Sequence, residues 1–404
     1  MATLAGMTIA DRDSPFESGA AFLLAQKCDI DALVTLPSGW EVELRSGSPY
    51  VVARVKGISS PTDVFSACHE AAQQGLDLLA AQGKAHLSNR NASDVSLLWW
   101  RESSIQVLRV ISVNTLSVTV GIPTLTVTDQ HGNVIPQPPP PPIIYHESFR
   151  YIRLSEVTDD LFDAFRNMYL AFEALLGHVA PRHKKEREGA WLKRALATVD
   201  TAVSLSTVYG STTGNITERI YQEIYIDIRC AIFHSKNSPR LLPHDLADRR
   251  RVSEGLRKLT RIVLLISDHW LHARRPTGVM TYAGFELMTM QILQASEILV
   301  SDNDTPFDRQ ETLESPVYDD AVPMATRHAP DLSEPGLNCV LGVVDVAQLC
   351  GLQKIARFGL KHDNHLIMVS TVDAELNQDG VDRLEAQLGV QLRNTREPKR
   401  LYKM

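Results

Sequence analysis

Five consecutive prolines, Pro138 to Pro142, set the strongest limit on how this chain can fold. Proline fixes φ and has no N–H, so the run can enter neither a helix interior nor a central strand. It predicts a stiff polyproline II spacer, and the plain reading is a domain boundary. A ligand for a proline-recognition module is the alternative. A chain of 404 residues has room for two or three cores around such a boundary.

Before the prolines the chain is strand-rich. Trp40–Ser46 and Tyr50–Gly57 carry alternating or continuous apolar and β-branched residues, separated by a Ser-Gly-Ser-Pro turn. Residues 61–83 read as a helix: Pro61 suits its start, Val64, Cys68, Ala71 and Leu78 recur at helical spacing, and Gly83 ends it. Ser96–Ser103, Ile105–Val113, 116–122 and 124–130 are strand-like, closing at a His131-Gly132-Asn133 turn. The expectation for 1–145 is an antiparallel sheet with one helix packed on it, ending in the polyproline linker.

After the prolines the apolar period changes to that of helices. Leu161, Phe165, Met168, Phe172, Leu175 and Leu176 share one face. Further helical stretches are 186–200, 215–236 with Asn215 as its N-cap, and 244–275 with a stripe of Val252, Leu256, Leu259, Val263 and Ile266. Four helices with short connections predict an antiparallel four-helix bundle over 150–276. Residues 277–335 read as an irregular acidic linker region. Residues 336–404 read as a small α/β module in β-α-β-α-β order, with helices over 347–362 and 380–389. The expected class is therefore multidomain α+β, centred on the bundle.

Charge sharpens this division. The net charge is -7, yet residues 151–275 hold 20 Lys+Arg against 15 Asp+Glu, a local +5 that leaves -12 for the rest. Five scattered cysteines without a C-x-x-C pair fit a reducing cytoplasm and argue against a zinc cluster. No apolar run is long enough for a bilayer, and no signal peptide is read, so a cytoplasmic protein without membrane contact is expected. No P-loop, dinucleotide fingerprint or G-x-S-x-G is present, and no cofactor or metal is expected. Asp302, Asp304 and Asp308 lack the glycine and twelfth-position glutamate of a calcium loop.

One pair of residues raises a chemical question: Arg229 and His234, in Asp227–Lys236, near the end of the third bundle helix. Arginine clamps phosphate bidentately, and histidine exchanges protons near neutrality. With Ile228 at zero on a helical wheel, Ile216, Ile220, Ile224, Ala231 and Ile232 gather round it as the core face. Arg229 then lies about 100° one way and His234 about 120° the other, so one ideal helix does not converge them. Ile226, Cys230 and Phe233 make the far side apolar too. A helix apolar on two sides is buried on two sides, which predicts a homodimer through this helix or another protein partner. The bland alternative is a capping histidine and an arginine paired to Glu173 or Asp227. Lys184, Lys185, Arg187, Arg250 and Arg257 lie in basic clusters that read either as a solvated face or as an RNA-backbone track.

With Ala171–Gly177 on the first bundle helix and Asp227–Lys236 ending the third, the region resembles the HEPN superfamily, more narrowly its ApeA-like branch. The resemblance covers under a third of the chain. It implies a dimeric, metal-independent endoribonuclease acting in defence or stress response, with Arg229 and His234 as catalytic pair and Glu173 orienting the arginine. Active members usually carry Asn, Asp or His after the arginine and often glycine after the histidine; Cys230 and Ser235 stand here. A non-catalytic interaction or regulatory domain is the alternative. The whole chain has a weaker likeness to a methylamine-utilisation accessory family. Outside this region, Cys68-His69 reads as a core cysteine beside a surface histidine, and Trp99 and Trp100 as alternating, core-packed sheet residues.

Overall fold

The computed structural model describes residues 1–10, 16–58, 60–90, 95–117, 130–131, 139–209, 214–233, 240–275, 280–308 and 310–393. It divides into two units. One joins Met1–Leu116 to Thr281–Leu392; the other holds Ser117–Met280.

The first unit is built on one sheet. Its N-terminal part supplies β1 Ala2–Leu4, β2 Met7–Ala10, β3 Ser18–Leu23, β4 Ala32–Thr35, β5 Glu41–Leu44, β6 Tyr50–Val55, β7 Val95–Glu102 and β8 Ile105–Ser117. Its C-terminal part supplies β9 Ser296–Ser301, β10 Val322–His328, β11 Leu337–Asp345, β12 Ile355–His362, β13 His365–Asn377 and β14 Arg383–Arg393. These form fourteen strands in the order β2-β1-β13-β12-β9-β10-β11-β14-β8-β7-β3-β6-β5-β4.

Two junctions tie the ends of the chain together. At the first, β1 pairs antiparallel with β13, Thr3 opposite Asn377. At the second, β14 lies beside β8, and the two run parallel: Gln106 bonds Asp382, Arg109 bonds Glu385, and Val113 touches Gly389, a constant offset in sequence. The sheet is therefore mixed. It also curls. β2 packs near β3, β6 and β7, and Arg54 of β6 donates to the Thr8 carbonyl at 2.8 Å.

Curling buries both faces of the middle strands. Ala21, Leu23, Tyr50, Val52, Leu97 and Trp99 point into a core shared with Ile298, Val300, Phe358 and Leu384. The alternate residues Ala20, Phe22, Val51, Ala53, Leu98 and Trp100 lie under α1, Pro61–Ala81. Trp99 and Trp100 thus alternate, and both are core. Gly19 makes room for Trp99, because a β-carbon there would sit 2.1 Å from its ring. Helix α1 starts at Pro61 and stops before Gly83 at φ +67°, as its sequence predicts. Its buried stripe takes Leu76 and Leu79, whereas Leu78 is exposed. His69 is buried as well, edge-on to Phe22, which corrects the surface position expected for it.

The second unit is helical: α2 Ser148–Val157, α3 Leu161–Val179, α4 Glu188–Ala202, α5 Ser206–Tyr209, α6 Ile216–Ile220, a π-helical segment Tyr221–Cys230, α7 Ala231–Phe233 and α8 Leu246–Leu271. They share one apolar core. Every residue of the expected stripes on α3 and α8 is buried there, as are Ile216, Ile220, Ile224, Ile228, Ala231 and Ile232. Asn215 caps α6, its side chain accepting from the Glu218 amide. Pro139 to Ile143 have no regular structure and are exposed; Pro138 lies outside the described residues.

The expected class, a multidomain chain centred on a four-helix bundle with an independent α/β module at its end, is overturned by the sheet. The first and last regions complete one fourteen-stranded sheet. Residues 347–362, expected as helix, form a single 3-10 turn at Val346–Leu349 and then β12. Of residues 380–389, also expected as helix, those from Arg383 onward lie in β14. There Leu384, Ala386, Leu388 and Leu392 alternate with polar residues, and this period of two decides the structure over the helix-forming Glu, Ala, Gln and Leu. Residues 277–335 contain α9 Tyr282–Gln294, β9 and β10. The strands expected over 116–122 and 124–130 fall mostly outside the described residues. Among the described residues, no helix is long and apolar enough to cross a membrane, and no group of three metal-ligating side chains occurs.

Candidate functional site

The candidate site lies on the π-helical segment, and its geometry follows from a four-residue repeat. Ile220, Ile224, Ile228 and Ile232 form one row; Tyr221, Tyr225, Arg229 and Phe233 form the next. In an α-helix such a repeat drifts by about 40° per step. A turn closed i→i+5 takes more than four residues, so the drift changes sign there and offsets that of the flanking α-helical turns. The first row is buried against the core. The second becomes a ladder. Tyr221 stacks on Tyr225 with centroids 5.1 Å apart, and the Arg229 guanidinium lies 5.2 Å from the rings of both Tyr225 and Phe233.

Two other helices complete the surroundings of Arg229. From α3, Tyr169 presents its ring 5.6 Å from the guanidinium. From the first turn of α4, Glu188 pairs with Arg229 Nη2 at 2.9 Å. The next residue is Gly189, where a β-carbon would meet the Tyr221 hydroxyl at 2.6 Å. A glycine there lets α4 approach the π-helical segment. The arginine side chain keeps only 16% of its surface exposed.

Glu173 stands one helical turn beyond Tyr169 on α3. Burial pushes its carboxyl up to about 6; the adjacent Glu188 carboxylate adds to this and the Arg229 charge opposes it. Burial also raises the hydroxyl pKa of Tyr225, to about 12, and that of Tyr169 far more. The Tyr169 hydroxyl and Arg229 Nε are both buried without a hydrogen-bond partner. The arrangement can present a fixed positive charge beside a carboxyl that exchanges protons near pH 6.

The structure brings Arg229 and Glu173 into one cluster, but the ion pair goes to Glu188, and Asp227 pairs instead with Arg251. Glu188, Tyr169 and Tyr225 were missed by sequence reasoning. The aromatic row at 221, 225 and 233 was a usable signal; the approach of α4 was not. His234 lies outside the described residues. Ile226 and Phe233 are 36% and 40% exposed, and Cys230 is half-buried. Lys184, Lys185, Arg187, Arg250 and Arg257 are all exposed. Close by, Arg194, Lys193 and Lys258 are neutralised by Glu186, Glu218 and Glu223. Comparison with known proteins finds no matching family model, no matching curated protein and no matching solved structure.

Proposed function

We propose that the helical unit is a metal-independent endoribonuclease centre. In this reading Arg229 binds the scissile phosphate, and His234 takes the proton from the ribose 2′-hydroxyl. The 2′-oxygen then attacks phosphorus. The 5′-oxygen leaves with a proton returned from the same base or from Glu173, giving a 2′,3′-cyclic phosphate and a 5′-hydroxyl. The exposed cations at 184, 185, 187, 250 and 257 would track the RNA backbone. The observation that supports this reading is the state of Arg229: its guanidinium is held by Glu188 and three rings, yet Nε and the neighbouring Tyr169 hydroxyl have no partner. Buried, unsatisfied donors beside a proton-exchanging carboxyl suit an anion whose charge develops during reaction. The test is cleavage of end-labelled RNAs by the wild type, Arg229→Ala and His234→Ala. Cleavage by the wild type alone is expected; equal cleavage by all three, or none by the wild type, rejects the reading.

A second reading, a non-catalytic domain that dimerises or docks a partner, is favoured by a different observation. Arg229 is already neutralised at 2.9 Å, while Ile226 and Phe233 stay open on the same helix. Sedimentation of the wild type against Phe233→Asp tests it: a dimer in the wild type and a monomer in the variant are expected.

A further inference from the structure

The polyproline run takes no part in the site around Arg229. The two units divide between Leu116 and Ser117, so the described prolines, Pro139 to Pro142, lie within the helical unit and not where the chain passes from one unit to the other. They are exposed, and among the described residues no backbone N–H donates to their carbonyls.

The run is anchored just beyond its end. The Ile144 amide donates to the carbonyl of Leu271, the last residue of α8, at 2.9 Å. Tyr145 rests edge-on against Phe149 with centroids 6.2 Å apart, and Phe149 packs on the helical core. The apolar side chains here nevertheless stay open: Ile143, Ile144 and Tyr145 are 65%, 49% and 80% exposed. The helical core thus fixes the end of the run and leaves the prolines and the apolar residues after them in solvent.

The chemistry of this segment selects its partner. Consecutive prolines fix φ and favour polyproline II before any partner arrives. Three residues per turn place Pro139 and Pro142 on one edge. Carbonyls without an internal donor are acceptors for indole N–H and phenol O–H groups. No charged side chain occurs from Val134 to Tyr145, so the segment offers a phosphate no cation to bind.

We propose that Pro139–Tyr145 is a docking peptide for a protein domain whose aromatic-lined groove reads polyproline II. Proline rings fill slots between the groove's aromatic rings, tryptophan and tyrosine donors take the proline carbonyls, and Ile143 extends the apolar contact. Little ordering entropy is lost, because the run is stiff and held at one end. The proposal is independent of RNA cleavage.

The probes are an isotope-labelled WW domain and an isotope-labelled Src-homology 3 domain, each titrated with the unlabelled full chain and followed by amide chemical shifts. Saturable shifts confined to the aromatic groove of at least one are expected. Glycine returns backbone freedom, so the double variant Pro140→Gly, Pro142→Gly should bind about tenfold or more weakly. Ile143→Asp, which keeps the prolines, should also weaken binding by about tenfold by setting a charge against an apolar groove. All three positions are exposed, so both variants are expected to keep the wild-type unfolding midpoint. No groove shift in either domain, or wild-type affinity in both variants, would overturn the proposal. So would an attachment lost in the double variant but made to phosphatidylcholine vesicles, or to a second copy of the chain, in place of the groove.

Discussion

Arg357 in the sheet unit and Arg229 in the helical unit are each paired with a glutamate, yet they are held by different means. Arg357 has no exposed side-chain surface and is fixed by Glu311 and a loop carbonyl. Arg229 retains 16% exposure and is fixed by one carboxylate and three aromatic rings. A guanidinium sealed by hydrogen bonds serves the fold, since neither partner can be lost without stranding a charge. A guanidinium held by ring faces is steadied by contacts that are less directional than hydrogen bonds. Both keep a buried Nε without a hydrogen-bond partner, so the difference lies in how each charge is held and not in unused donors.

The largest effect should break the first half of that comparison. Arg357→Met should cost about 3–5 kcal/mol by leaving Glu311 buried and unpaired, and adding Glu311→Met should recover much of it. Urea denaturation of the single and double variants measures both. If the single substitution is nearly neutral, the two arginines do not differ as described. Arg229→Met comes next, at about 1–3 kcal/mol, because it loses a half-buried pair and cation–aromatic contacts but strands a less buried carboxylate. The same denaturation curves test this order.

A pH series sharpens the comparison further. Glu173 titrates near 6 in the folded chain against a usual 4.5, so the folded state binds more protons in that window. Its contribution is therefore favourable below about 4.5 and is lost as pH rises through about 6. Glu173→Gln should remove this dependence. Relative to wild type, the variant should gain on the order of 1–2 kcal/mol between pH 4 and pH 7. A pH-independent difference would show that Glu173 is not raised. The smallest effect is at the start of the helix carrying Arg229: Asn215→Ala should cost about 1 kcal/mol by uncapping α6, read from the unfolding midpoint.

Much of the helical unit was legible in the sequence. The stripes on α3 and α8, the isoleucine row on the third helix and the Asn215 cap are all where periodicity and cap chemistry place them. Arg229 was legible as a candidate, and Glu173 as its neighbour. Glu188 was not, because its role depends on how closely Gly189 lets α4 approach Tyr221. The expected pairing of Arg229 with Glu173 or Asp227 gave way to that contact. In the sheet unit, β5 to β8 and α1 were read correctly from local pattern. β12 and β14 were not: Leu, Ala, Glu and Gln favour helix locally, and only a neighbouring strand rewards their period of two. The β1–β13 and β8–β14 junctions join residues hundreds of positions apart, and no local signal reports them.

By itself the sequence determined the local elements whose periodicity and caps agree, and the chemical character of Arg229. The polyproline run determined that neither a helix nor a central strand crosses Pro138 to Pro142. The tertiary structure decided the rest. It merged the two ends of the chain into one sheet, because strands satisfy their backbone groups with whichever edge lies nearest in space. It also gave Arg229 to Glu188, because an ion pair forms where packing brings two charges within a few ångströms, and sequence spacing along one helix says nothing about the approach of another.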